Sequence, residues 1–260
     1  LKTKTVKKLL FTLLIYTCLA HLAGASLYRS YQTDDGLSHN SVWAAMQDSR
    51  GFMWFGTNDG LNRFDGLNFK VYRRIDTDSL SLGNNFIHCL LESPDGNILV
   101  GTKEGLYSYS PDSDNFRHIS LDGHSFGDDR NSIHCLLLDK SGQLWVGCYG
   151  QGIYCLDSGM NVIRHFGDKS MPSRFITAMA PDISGVIWVG TDNAGLFRLD
   201  PITGRTSGTP VSNVNIQTIY RQSNNTLWIG TSAEGLFHFD PLSDSVRHIT
   251  HISPASTPVY

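Results

Sequence analysis

The chain has 260 residues, 40% of them hydrophobic, and a formal net charge of -3. A chain this long buries roughly 70% or more of the surface it exposes when unfolded, which excludes a disordered polymer. A charge so near zero leaves no electrostatic footprint for nucleic acid or anionic lipid.

The N-terminus reads as a targeting segment. Lys2, Lys4, Lys7 and Lys8 form a basic stretch, and Leu9 to Leu22 is mostly apolar but short for a bilayer span. Ala23-Gly24-Ala25 supplies the small-x-small cleavage pattern, so residues 1–25 are expected to be a signal peptide cut after Ala25. Cys18 lacks the small-residue surroundings of a lipoprotein signal. Residues 26–260 then form the mature domain, delivered to the periplasm.

That domain is a repeat. An apolar residue opens each unit at Val42, Ile87, Ile133, Ile176 and Ile216. Six positions on stand Asp48, Ser93, Asp139, Asp182 and Gln222, and nine on stand Gly51, Gly96, Gly142, Gly185 and Asn225. Twelve on are Trp54, Leu99, Trp145, Trp188 and Trp228, followed two later by Gly56, Gly101, Gly147, Gly190 and Gly230. Each unit divides into four short strands. The first ends in an Asp-x-x-Gly turn of the type I pattern, where Asn225 takes the place of Gly because Asn tolerates a left-handed backbone. The second carries the aromatic anchor, as in Met53-Trp54-Phe55-Gly56. The third follows a second glycine, as in Gly195-Leu196-Phe197-Arg198-Leu199-Asp200, and the fourth is weaker: Phe69–Tyr72, Phe116–Ile119, Val162–Phe166 and Val246–Ile249.

Four antiparallel strands in a unit of about 40 to 45 residues make a propeller blade. The expected fold is therefore all-β, a β-propeller of five four-stranded blades starting near 42, 87, 133, 176 and 216. Inner strands such as His134–Leu138 are apolar on both faces, which predicts two-sided burial. Leu27–Gln32 reads as a loose outer strand of the kind that closes a ring. The array reads as incomplete, and an open array leaves an edge strand and an apolar blade face bare, favouring self-association.

The repeated Trp and Gly residues are architecture, so a site must be sought elsewhere. Cys89 and Cys135 hold equivalent positions in apolar strands and read as core. Cys148 and Cys155 flank one hairpin in an expected diagonal register, a poor disulfide geometry. No spacing of Cys or His suits a metal, and no cofactor is expected. His88 and His134 stand second in their first strands, where the other units have Trp43, Thr177 and Gln217. A polar, varied position among apolar neighbours suits the lining of a central channel. The loops between strands two and three share one rim with the loops between blades. That rim carries Asn58, Asp59, Lys103, Glu104, Tyr149, Gln151, Asp192, Asn193 and Glu234, with Arg174 close by. Amides, carboxylates and aromatic rings together suit an oligosaccharide, whose hydroxyls take paired hydrogen bonds and whose rings stack.

The stretch from Asp48 to Asp65, with Asp-x-x-Gly, Trp-Phe-Gly-Thr, an Asn-Asp loop and Gly-Leu-x-x-Phe-Asp, resembles the two-component regulator propeller repeat, as does Asp35-Gly36-Leu37-Ser38 before the first unit. The resemblance covers residues 28 to about 249. It implies the periplasmic sensor of a hybrid histidine kinase, probing glycan fragments, with further blades, a membrane helix and a kinase as parts of a parent protein. The chain itself shows no phospho-acceptor helix or nucleotide-binding box, so no catalysis is expected of it. A propeller enzyme of the quinoprotein or lyase kind, or a protein-interaction scaffold, are the alternative readings.

Overall fold

The computed structural model describes residues 29–121, 131–167 and 170–249. The chain divides into two compact units, one of Leu1–Tyr31 with Ile252–Tyr260, the other Gln32–His251. The first has only residues 29–31 described, where the Arg29 guanidinium lies 4.8 Å over the Tyr31 ring. The expected signal segment, residues 1–25, lies outside the described residues.

The larger unit holds twenty strands in five four-stranded antiparallel sheets. Blade 1 is β1 (Val42–Gln47), β2 (Met53–Thr57), β3 (Gly60–Phe64) and β4 (Phe69–Tyr72). Blade 2 is β5 (Ile87–Glu92), β6 (Ile98–Thr102), β7 (Gly105–Ser110) and β8 (Asn115–Ile119). Blade 3 is β9 (Ile133–Leu138), β10 (Leu144–Cys148), β11 (Gly152–Leu156) and β12 (Val162–Phe166). Blade 4 is β13 (Ile176–Pro181), β14 (Ile187–Thr191), β15 (Gly195–Leu199) and β16 (Thr206–Ser212). Blade 5 is β17 (Ile216–Arg221), β18 (Leu227–Thr231), β19 (Leu236–Asp240) and β20 (Ser245–Ile249).

The Asp-x-x-Gly turn also fixes the anchor. Asp48 Oδ1 accepts the backbone N–H groups of Arg50 (3.0 Å) and Phe52 (2.9 Å), and Gly51 sits at φ +90. The other carboxylate oxygen accepts the indole N–H of Trp54 at 2.8 Å. Asp139 does the same for Trp145 (2.8 Å) and Asp182 for Trp188 (3.0 Å). Buried indoles need such a partner. Blade 2 has lost both members at once, with Ser93 and Leu99 in their places. In blade 5 Asn225 takes the left-handed conformation at φ +67.

Blades join through a knob and a socket. A Cβ on Gly56 would lie 2.6 Å from Ile87 Cγ2, and one on Gly190 2.5 Å from Ile216 Cγ2. Gly101 and Gly147 face Ile133 and Ile176 alike, each at 2.9 Å. The glycine of each second strand thus makes room for the residue that opens the next blade, and all four isoleucines are fully buried. The array's two ends leave the same pair unfilled. Val42, which opens blade 1, is 43% exposed, and among the described residues Gly230 has only Thr218 of its own blade within reach. The first strands pack in series, β1 on β5, β5 on β9, β9 on β13 and β13 on β17. Among the described residues no comparable packing joins β17 to β1.

Several expectations need correction. Two-sided burial belongs to the middle strands: β6, β10, β11 and β14 are buried at every position, whereas β5 and β9 are fully buried only at their opening isoleucine. Each first strand is the edge of its sheet, so one side stays open. Residues 29–32 of the expected outer strand are not a strand, and Leu27 and Tyr28 lie outside the described residues. A 3-10 turn over Thr33–Asp35 follows instead, where Asp35 Oδ2 accepts the Gln32 N–H at 2.9 Å and satisfies locally a donor a ladder would use. Cys148 pairs with Gly152 and Cys155 with Trp145, so the two thiols are farther apart than a diagonal. Both are free, as are Cys89 and Cys135, and desolvation pushes the Cys89 thiol up to about 12. Strand β16 carried no readable signal, because Thr-Ser-Gly-Thr-Pro-Val-Ser lacks apolar alternation.

Candidate functional site

The rim of the two-three loops is stitched to the segments that enter the blades. Lys103 N–H donates to Phe86 O (3.0 Å), Tyr149 N–H to Ser132 O (2.8 Å) and Asp192 N–H to Phe175 O (3.1 Å). Gly60 N–H reaches the entry of the next blade at Asn85 O (2.7 Å), and Gly152 N–H reaches Arg174 O (3.0 Å). The two kinds of loop therefore share one face, as the blade topology predicts.

Three positions per blade meet toward the inner side of this rim: the residue before the first strand, the second residue of that strand, and the residue two after the second-strand glycine. They supply a continuous ladder of rings across four blades. Trp43 lies 5.8 Å from Phe86, Phe86 4.7 Å from His88, and His88 is stacked on His134 at 4.2 Å. His134 is stacked on Tyr149 at 4.8 Å, and Tyr149 lies 5.0 Å from Phe175. Polar groups close both ends. The Trp43 indole N–H donates to Asn58 Oδ1, and the Tyr149 hydroxyl donates to Asp192 Oδ2. The Arg174 guanidinium lies 5.4 Å over the Phe175 ring, and Ser132 Oγ is 3.3 Å from His88 Nε2. Thr177, next in the series, has a buried hydroxyl without a hydrogen-bond partner among the described residues.

Sequence reasoning thus chose two groups of residues that the fold separates. Trp43, Asn58, His88, Lys103, His134, Tyr149, Asp192 and Arg174 belong to the inner rim. The loop residues just before the second glycine turn outward. Asp59 is ion-paired with Arg73 at 3.1 Å and accepts from Asn85 Nδ2 at 3.3 Å; Glu104 lies 3.9 Å from Arg74. The Gln151 and Glu234 carbonyls meet the imidazoles of His165 and His248 from the fourth strands. Asn193 is exposed and makes no part of the ladder. Phe86, Ser132 and Phe175 were missed. The column immediately before each opening apolar residue (Ser41, Phe86, Ser132, Phe175, Asn215) holds the signal that finds them.

The imidazoles are held neutral. Burial, then the nearby His134 and Lys103 charges, lower His88 to about 4. Burial lowers His134 too, against the opposing pull of the Asp192 carboxylate. A bond to Asp192 raises Tyr149 above the usual phenol range. Two neutral imidazoles each offer one donor and one acceptor nitrogen. Within the ladder the rings cover one another's faces, so the most open aromatic surface is that of Trp43, 57% exposed. Among the described residues no cluster of His, Cys, Asp or Glu could hold a metal ion.

The His88 shift has a sign that can be tested. An unfolded chain takes up this proton near 6.5 and the folded one only near 4. The contribution is therefore whole above about pH 6.5 and is lost as pH falls toward about 4. His88→Gln, which copies Gln217 of blade 5, should flatten the fall of the urea midpoint between pH 7 and pH 4.5. An unchanged slope would mean that His88 titrates freely.

Serial four-stranded blades with a lined inner rim define a β-propeller repeat module. The family follows from the repeats: the description Two component regulator propeller matches residues 36–59, 81–104, 127–150, 170–193 and 210–233, and the chain carries five repeats of that family. A segment of 56 residues, 22% of this chain and 4% of the relative, is 48% identical to Histidine kinase P4 of Formosa agariphila. Among solved structures, the extracellular domain of a hybrid two component system from B. thetaiotaomicron matches with a TM-score of 0.75 and 26% identity, over 84% of this chain and 31% of that one. A second such domain from the same organism matches with a TM-score of 0.71 and 21% identity, over 85% and 33%. Virginiamycin B lyase from Staphylococcus aureus, 15% identical with a TM-score of 0.63 over 79% of this chain and 68% of the lyase, shares the fold. The chain spans about a third of the length of the two-component domains it matches. Among the described residues no helix is long and apolar enough to cross a membrane.

Proposed function

We propose that this chain is the extracytoplasmic, ligand-receiving propeller of a two-component signalling protein, exported by residues 1–25, and that an oligosaccharide occupies its inner rim. The observation that carries the reading is the ladder from Trp43 to Phe175 with Asn58 and Asp192 at its ends. A sugar stacks its C–H face on an open ring such as Trp43, while amide, imidazole and carboxylate groups take its hydroxyls in pairs. The chain binds and does not transform: in a parent protein with a membrane helix and a kinase, occupancy of this rim would be the input to phosphorylation. The extracellular setting of the Bacteroides neighbours supports the location.

The experiment is glycan-array screening of the exported chain followed by calorimetric titration of the hits. Tyr149→Ala and His134→Ala should each weaken binding by about tenfold or more, the worth of a lost polar contact or stacked ring in a desolvated site. Glu234→Ala, on the outward side, should bind as the parent does. Loss at Glu234 with the inner variants unaffected would place the ligand elsewhere and sink the reading.

A further inference from the structure

We infer that the sugar this rim takes is acidic, carrying a carboxylate or sulfate that pairs with Lys103. This rests on the carbohydrate reading above and adds the class of ligand. Lys103 is the blade 2 member of the loop position that also supplies Asn58, Tyr149 and Asp192. Its backbone N–H is pinned to Phe86 O, a ladder residue, at 3.0 Å. Its side chain is exposed and forms no ion pair among the described residues.

Of the nearby carboxylates, Asp59 in the loop of blade 1 pairs with Arg73 at 3.1 Å, and Glu104, next to Lys103 in its own loop, lies 3.9 Å from Arg74, which meets Asp76 at 2.8 Å. The inner-rim carboxylate, Asp192, lies two blades away and accepts the Tyr149 hydroxyl. Lys103 is near enough to His88 to lower that imidazole, which stays neutral, so the ammonium is the cation beside His88. An ammonium meeting a carboxylate or sulfate forms a charge-assisted hydrogen bond, about twice as strong as a neutral one. The open Trp43 ring in the adjoining blade would hold the sugar's apolar face while the anion reaches Lys103.

The test uses four probes on the exported chain: trigalacturonate, its fully methyl-esterified form, a sulfated trisaccharide and its desulfated form. At least one acid should bind about tenfold or more tighter than its neutral partner. The difference should shrink as salt rises from about 0.05 to about 0.5 M, because screening shortens the reach of an exposed charge. Lys103→Met should erase the preference and Lys103→Arg should keep it, with melting temperatures confirming that both fold. Which acid prefers the protein separates carboxylate from sulfate. Neutral forms that bind as tightly as the acids, or a preference that survives Lys103→Met, would overturn the inference and leave the carbohydrate reading standing. Blank titrations with all four probes, together with a blank glycan array, would overturn both.

Discussion

Trp188→Ala should lower the unfolding free energy by about 3–5 kcal/mol, the cost of a large cavity left by a removed aromatic ring. Trp188 is 1% exposed, its ring meets Phe239 edge-on at 5.6 Å, and the Arg198 guanidinium lies 4.9 Å above it. The loss has a second part. Asp182 Oδ2 accepts both the Trp188 indole and Asn225 Nδ2 (2.9 Å) of the next blade, so removing the indole loosens a bond between blades. Trp43→Ala should cost far less, because that ring is 57% exposed and lies on the rim. Chemical denaturation of the two variants measures both values. Equal losses would mean that the second-strand and first-strand tryptophans do not hold the places described for them.

Gly190→Ala should cost about 1–3 kcal/mol by overpacking, although it adds one methyl group. The new Cβ would lie 2.5 Å from Ile216 Cγ2 and 3.1 Å from Ile216 Cβ, and that isoleucine is fully buried and has nowhere to turn. Gly230→Ala should cost less than half as much, since among the described residues the new Cβ would meet only Thr218 Cγ2 of the same blade. Trimming the knob should relieve the clash. Gly190→Ala with Ile216→Ala is expected to be less destabilised than the sum of the single changes, the mark of residues in direct contact. Additive losses would show that blades 4 and 5 do not meet through this pair.

Most of the fold was legible in the sequence because its parts depend on short-range spacing. The Asp-to-Trp bond spans six residues within one turn, and the strand ends follow from Asp48, Gly51, Gly56 and their equivalents. The inner rim was legible in part. His88 and His134 stood out because their column is polar among apolar neighbours. The loop residues were harder to sort, since Asn58 and Asp59 are adjacent in the chain yet serve opposite sides, one meeting Trp43 and the other Arg73. Periodicity gives a residue's place in a loop but not the direction of its side chain. Phe86 and Phe175 escaped notice because a lone aromatic before a strand looks like ordinary core; only the fold reveals that it continues a ladder built from other blades.

The glycine sockets carry a consequence for how such chains diversify. The joint between neighbours uses the fourth residue of one second strand and the first residue of the next blade, whereas the rim uses three other positions. Coupling and lining are thus written in separate columns of the repeat. A blade could be duplicated, deleted or exchanged and still plug into its neighbours, because every joint offers a β-branched aliphatic side chain to a bare backbone. The lining would change with each exchange and the joint would not. Recombination among such repeats can therefore sample new ligand preferences without first having to rediscover a stable protein.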